Sequence, residues 1–286
     1  LTITGTSIVP GTAATATLGG TLTFFDDLIA VAGQGWVTSY RRNGGCGLRA
    51  LTITGTAAAV GAESLTGGDA TLGYPTVLFD MTGGKVVSVD YSTLINIQLR
   101  TVTGTTLTAG TGATLVGTPM VVRQLASGRL AIAHTPASNL ATGSIVSVAG
   151  TVASTSSAAT GPSSANFTFG HVVGNQMLFG YVAGNSAYID AVTDNAGTAV
   201  AGTQITRLSG TAFTPYLIGA DATSVTVLVQ PGAATSATGY ILRIGLNGNN
   251  PRVLAGRYVN ADLFADGGVT KPNITALNTV FKDPLP

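Results

Sequence analysis

The chain has 286 residues, of which 9% are charged, and a net charge of +1; a typical soluble domain is roughly 25% charged. So few Lys and Arg residues exclude nucleic acid as a partner, because backbone neutralisation needs many cations; the basic pair Arg41-Arg42 reads as a solvated strand end. One cysteine, Cys46, allows neither an internal disulfide nor a cysteine-based metal site, and no run approaches the roughly 20 apolar residues of a membrane span.

The first element is Leu1–Thr12, LTITGTSIVPGT, two short strands about a turn at Gly5. An apolar run from Phe24 and the segment GWVTSY from Gly35 make a second pair. From Gly47 the opening pattern returns as LTITGTAAAVGA at Leu51. The same order recurs along the chain. Inner pairs begin near Phe24, Tyr74, Pro119, Asn166 and Phe213, and outer pairs at Leu1, Gly47, Leu94, Asn139, Ser186 and Gly239. The marker glycines Gly5, Gly55, Gly104, Gly150 and Gly197, with a degenerate copy at Gly248, recur at a near-constant spacing of about 48 residues.

Within a unit the period is two. Ile95, Ile97 and Leu99 fall on one face of a strand, Asn96, Gln98 and Arg100 on the other. The marker glycine permits the bend between third and fourth strands. Thr151–Phe167, TVASTSSAATGPSSANF, has the composition of a linker but falls where the outermost strand of the third unit belongs, and it reads as a poor outer strand and a flexible loop. Trp36, the sole tryptophan, is expected to cover the interface between two units. Cys46, in GGCG, reads as a bystander thiol in a tight turn.

A four-stranded unit cannot bury both faces alone, and stacking copies into a ring covers them. The expected fold is therefore an all-β β-propeller of five or six four-stranded blades. The units are 1–18 (an outer pair), 19–67, 68–117, 118–161, 162–208 and 209–256. The tail 257–286 either closes a sixth blade or docks on a neighbour; it holds Tyr258, Leu263, Phe264, Ile274, Leu277, Val280 and Phe281, too many large apolar groups for a solvated tail.

The pattern G-x-V-V-x-x-Y followed by L-T-x-T-G-T-x-x-x-x-G-T, best seen in WVTSYRR and LRALTITGTAAAVGA, resembles the integrin-like β-propeller repeats of bacterial surface proteins and tailed-phage virions. The resemblance covers residues 1–256. It implies a contact-making component of a tail, fibre or similar appendage, located in a virion or outside the cell. The acidic D-x-D-x-D-G calcium loop of true integrin repeats is missing from every unit, so no metal or other cofactor is expected.

Catalysis needs titratable groups placed together, and the chain offers two His, one Glu (Glu63) and no recognised catalytic motif. No catalytic residue is assigned. The second strands of successive units end in Tyr40, Asp90, His134, Tyr181 and Val229, which repeat geometry places in one ring. The four polar members are candidate ligand-binding residues at a channel mouth; the alternative is polar strand ends reaching water. The expected function is structural: contacts with other protein subunits, copies of itself included. The alternatives are a secreted glycan-binding propeller engaging a cell surface and a hydrolase at the central channel.

Overall fold

Thr, Val and Ile at alternating positions favour a pleated, half-buried backbone, and most segments between turns are strands. The computed structural model describes residues 2–260 apart from 5–6, 10–11, 16, 18–19, 44, 69–74, 137–139, 164, 185, 203–204, 209–212 and 232–237. No helix occurs among the described residues. The chain divides into two compact units, Leu1–Thr118 with Ser147–Thr155, and Pro119–Val146 with Ser156–Pro286.

The first unit opens with a two-stranded hairpin, β1 (Thr2–Thr4) and β2 (Ser7–Val9). Next, β3 (Leu22–Val31), β4 (Gly35–Arg42), β5 (Gly45–Thr54) and β6 (Ala57–Val60) form an antiparallel meander, and β7 (Ser64–Leu65) also pairs with β5. The same arrangement repeats with β8 (Val77–Asp80), β9 (Lys85–Tyr91), β10 (Leu94–Thr103) and β11 (Thr106–Ala109), with β12 (Ala113–Val116) also on β10. Between these two meanders lies an apolar layer of Val31, Val37, Leu48 and Ala50 against Leu78, Val86 and Val102.

A third meander is β13 (Thr118–Gln124), β14 (Leu130–Thr135), β15 (Leu140–Ala149) and β16 (Val152–Ser163); its outer turn groups with the first unit and the rest with the second. The second unit continues with β17 (Ala165–Val173), β18 (Gln176–Ala183), β19 (Ser186–Asn195) and β20 (Thr198–Ala201), with β21 (Ile205–Leu208) also on β19. Its last meander is β22 (Phe213–Ala220), β23 (Ser224–Pro231), β24 (Thr238–Asn247) and β25 (Asn250–Asn260). Val225, Val227, Val229, Leu242 and Ile244 of this sheet pack on Leu178, Ile189 and Ala191 of the one before. Five four-stranded antiparallel meanders in chain order, each half-buried by the next in its unit, are the β-propeller repeat. The protein is all-β and of that type.

The marker glycines are the turns between third and fourth strands. Gly55, Gly104, Gly150 and Gly248 have φ of 61°, 57°, 59° and 59°, values that a Cβ disfavours. A second glycine, five or six residues on, has a different task. Gly61, Gly110 and Gly202 donate their N–H groups to Ala50, Leu99 and Ala191, each at 2.9 Å, and interrupt the fourth strand. A Cβ at these positions would stand 1.7 Å, 2.6 Å and 2.2 Å from the carbonyl oxygens of Thr105, Thr151 and Asn249. Each of those carbonyls belongs to the outer turn of the following meander. The glycine thus lets one outer hairpin seat on the next. After Gly110, Thr111 completes a two-way main-chain bridge, its N–H to Thr151 O at 2.8 Å and its O from Ala153 N–H at 2.9 Å. The N-terminal hairpin is followed by the same device: Thr12 N–H donates to Thr56 O at 2.8 Å, and Ala58 N–H to Thr12 O at 3.2 Å.

Three expectations are corrected. The stretch from Thr151 is the outer strand its position predicts, and the loop part of that expectation does not hold over 152–163, where β16 runs over Val152–Ser163 with Ala153 buried and the Thr160 hydroxyl bonded to Ala141 O. Trp36 is not part of the apolar layer between the first two meanders and is 40% exposed. The last repeat extends beyond 256, since β25 pairs with β24 as far as Asn260 opposite Thr238. The expected role of the tail from 261 onward lies outside the described residues.

Candidate functional site

The repeat register places Tyr40, Asp90, His134, Tyr181 and Val229 on β4, β9, β14, β18 and β23, the second strands of their sheets. All five are buried, at 2% exposure or less. Their polar atoms are therefore not strand ends in water.

What each does is read from its partner. Tyr40 lies opposite Gly47, and its hydroxyl receives the Nε–H of Arg49, two residues further along β5, at 3.1 Å. His134 lies opposite Thr142, and its Nε2 meets the hydroxyl of Ser144, again two residues on, at 2.8 Å. Tyr181 lies opposite Tyr188, and its hydroxyl donates to Oδ2 of Asp190, two residues on, at 2.9 Å. The polar link in all three sheets is thus a diagonal cross-strand pair, the arrangement in which long side chains meet across a ladder. In the fifth sheet the corresponding pair is Val229 and Leu242, both in one apolar cluster. Asp90 differs, because its partner is Asn96, directly opposite, whose amide donates to Oδ1 at 3.0 Å. One structural position is filled by Tyr–Arg, His–Ser, Tyr–Asp or an apolar pair. That exchange fits strand pinning, and a shared ligand chemistry does not need it.

The densest polar group in the first unit was not singled out by spacing. Glu63, just before β7, accepts the Tyr40 hydroxyl and the Arg42 Nε–H on Oε1, both at 2.8 Å, and Arg42 Nη2 on Oε2 at 3.3 Å. Arg49 adds bonds to the carbonyl oxygens of Gly61 and Thr17. Burial works against the Glu63 charge, but the hydrogen bonds from Arg42 and Tyr40 outweigh it and hold the carboxyl below its usual range. Burial and the bond to Glu63 push the Tyr40 phenol up to about 12. A carboxylate fixed by a bidentate arginine and a phenol that keeps its proton make a brace between β4, β5 and the interruption of the fourth strand. Neither is poised to move a proton near neutral pH.

Arg41 and Arg42 are not a solvated strand end, since both side chains are nearly buried and paired, Arg41 with Asp26 at 2.8 Å and Arg42 with Glu63. The Arg41 guanidinium also lies 4.5 Å from the centre of the Phe24 ring. The signal available in the sequence was period two along β4, which puts Tyr40 and Arg42 on one face and Ser39 and Arg41 on the other. Cys46 is within β5 rather than in a turn; it is buried, and burial raises its pKa, the reverse of an activated thiol. No cluster of three or more metal-ligating side chains occurs among the described residues.

The first meander also carries a shallow groove of about 440 Å³ lined by Phe25, Asp26, Asp27, Leu28, Thr38 and Leu51. Its carboxylates are engaged from below. Thr76 N–H donates to Asp26 at 3.1 Å and Leu78 N–H to Asp27 at 3.0 Å. What the groove offers outward is apolar, with Phe25 71% and Leu28 57% exposed.

No protein-family model matches the chain, and no curated protein matches it in sequence. Among solved structures, the chain is similar to a protein from Lactobacillus plantarum. The identity is 12%, the match covers 79% of this chain and 68% of that one, and the TM-score is 0.50. At that identity the likeness is one of fold, and the fold it shares with this chain is the propeller-like arrangement of β-meanders.

Proposed function

We propose that the protein is a structural component, a propeller-type module that packs edge-on against neighbouring subunits in a virion or an extracellular appendage. The supporting observation is the chemistry of its outer strands. β6, β11, β16 and β20 are each the last strand of a sheet, or of its main path, and none carries a charged residue. Sheet edges left open to water are ordinarily guarded by Lys, Pro or charge, since an unguarded edge templates further pairing. On these four strands the rim is mostly Thr, Ala, Ser and Gly, which supply hydrogen bonds without repulsion, whereas β25, the last strand of the fifth sheet, carries Arg252 and Arg257. The bridges from Thr12 and Thr111 occupy only the start of β6 and β16, and the neutral remainder of the edge is stable in solution when a neighbour covers it. The candidate polar residues support the same reading, because their hydrogen bonds hold strands together.

The test is to place one lysine on an outer strand, Thr108→Lys on β11 or Ser154→Lys on β16, both exposed positions. Sedimentation and native mass measurement should show the wild-type chain in an assembly, with itself or with co-purifying subunits. Each variant should assemble at least tenfold more weakly with an unchanged melting temperature. A wild-type chain that stays monomeric and unpartnered at every concentration overturns the reading. So does a specific hydrolysis that disappears in His134→Ala.

A further inference from the structure

Among the described residues, one face of the first meander is covered only in part: Tyr40, Arg42 and Arg49 on it are buried, and the rest is bare. Its other face is closed by the second meander through Val37, Leu48, Ala50 and Leu78. On the bare side Phe25 is 71% exposed, Leu28 57%, Trp36 40% and Ile53 62%. An uncovered apolar surface with two aromatic rings is costly in water and marks a docking site.

The main-chain bridge at Thr12 indicates the kind of object that fits there. Thr111 follows the outer hairpin of the second meander and bridges to the outer turn of the third. Thr12 follows the β1–β2 hairpin and bridges in the same sense to the outer turn of the first meander at Thr56 and Ala58. The β1–β2 hairpin therefore stands as the outer half of a four-stranded sheet. The inner half of that sheet would lie over Phe25, Leu28 and Trp36. It would supply apolar side chains and pair with β1 along the edge that β2 leaves free.

We infer that this face is the docking site of residues 261–286 of the chain. The segment is longer than the Leu22–Arg42 stretch that forms the inner pair of the first meander. Its sequence Leu263-Phe264-Ala265-Asp266-Gly267-Gly268-Val269 resembles Leu78-Phe79-Asp80-Met81-Thr82-Gly83-Gly84-Lys85-Val86, which carries β8 into β9 through a two-glycine turn. Ile274, Leu277, Val280 and Phe281 add further apolar groups. The inference concerns a face other than the outer edges invoked for assembly, so either can fail without the other.

Hydrogen exchange on the full-length protein tests it, beside a chain ending at Asn260 and a full-length Leu263→Asp/Phe264→Asp variant that guards against misfolding of the truncation. Amides of β1 and β3 should exchange at least about tenfold faster in both altered chains. Binding of an apolar dye should rise in step, and amides of β18 and β19 should not change. A synthetic peptide of residues 261–286 added to the truncated chain should restore protection. Equal exchange and equal dye binding in the full-length and altered chains overturn the inference and leave the face to another molecule.

Discussion

At the scale of single residues, the second-strand positions show how one location can hold unlike side chains. A diagonal pair needs only complementary atoms at the right separation, so Tyr with Arg, His with Ser and Tyr with Asp serve equally. Period two located the residues, but the partner stands on a different strand, at a register that spacing alone does not give. Asp90 is the member held at a cost. Burial raises its pKa, against the Asn96 hydrogen bond and the field of Arg100. A carboxyl whose folded pKa lies above its unfolded value binds its proton more tightly when folded. Its contribution therefore favours folding in acid and declines as pH rises from about 4, the ordinary Asp value, through the raised one. Asp90→Asn keeps the shape and an oxygen acceptor for Asn96. Urea titrations should find it no less stable than wild type at pH 7, with a flatter pH profile between pH 4 and 7. A loss above about 1 kcal/mol at pH 7 would mean that attraction to Arg100 outweighs desolvation.

At the scale of elements, the repeat carries two glycines for two physical reasons. The first turns the chain with a positive φ, and asparagine, which tolerates that conformation, should replace Gly104 with little loss. The second has no room for a side chain. Gly110→Ala would press a methyl group against Thr151 O, and overpacking of this kind costs about 1–3 kcal/mol. Calorimetry should rank Gly110→Ala as clearly more destabilising than Gly104→Asn; the opposite order would show that the bridge adjusts freely. The turn glycines were legible from their spacing. The seating glycines stood in the same motif, but their reason is a carbonyl some 40–50 residues away in sequence. β16 was placed correctly by its position in the repeat, but its length was not legible. Ser, Ala and Gly resemble a linker in composition, yet a ladder with β15 satisfies the backbone whatever the side chains.

At the scale of the molecule, composition set most of what was readable. A Thr- and Gly-rich chain with a fixed repeat and almost no charge leaves stacked β-meanders as the economical way to bury apolar surface. Trp36 and the Phe25 face were not legible, because whether a face is covered depends on which sheets the chain has to spare. With so little charge on the rims, association should hardly respond to ionic strength. Raising salt from 50 mM to 500 mM should change the assembly constant less than about threefold, as screening has few ions to act on. A tenfold weakening would point to a charged contact such as Arg123 or Arg252.

The bridges at Thr12 and Thr111 have a consequence for how such a chain lengthens. Each joint is made by main-chain groups, so it asks the incoming copy for a glycine and a hydrogen-bonding backbone and for no particular side chain. A gene segment encoding one repeat can be duplicated or lost, and the rim joints on either side still match without compensating substitutions. Descendants of such a chain are then free to vary the rest of the outer hairpin, and with it the surface on display, while the joints themselves stay constant.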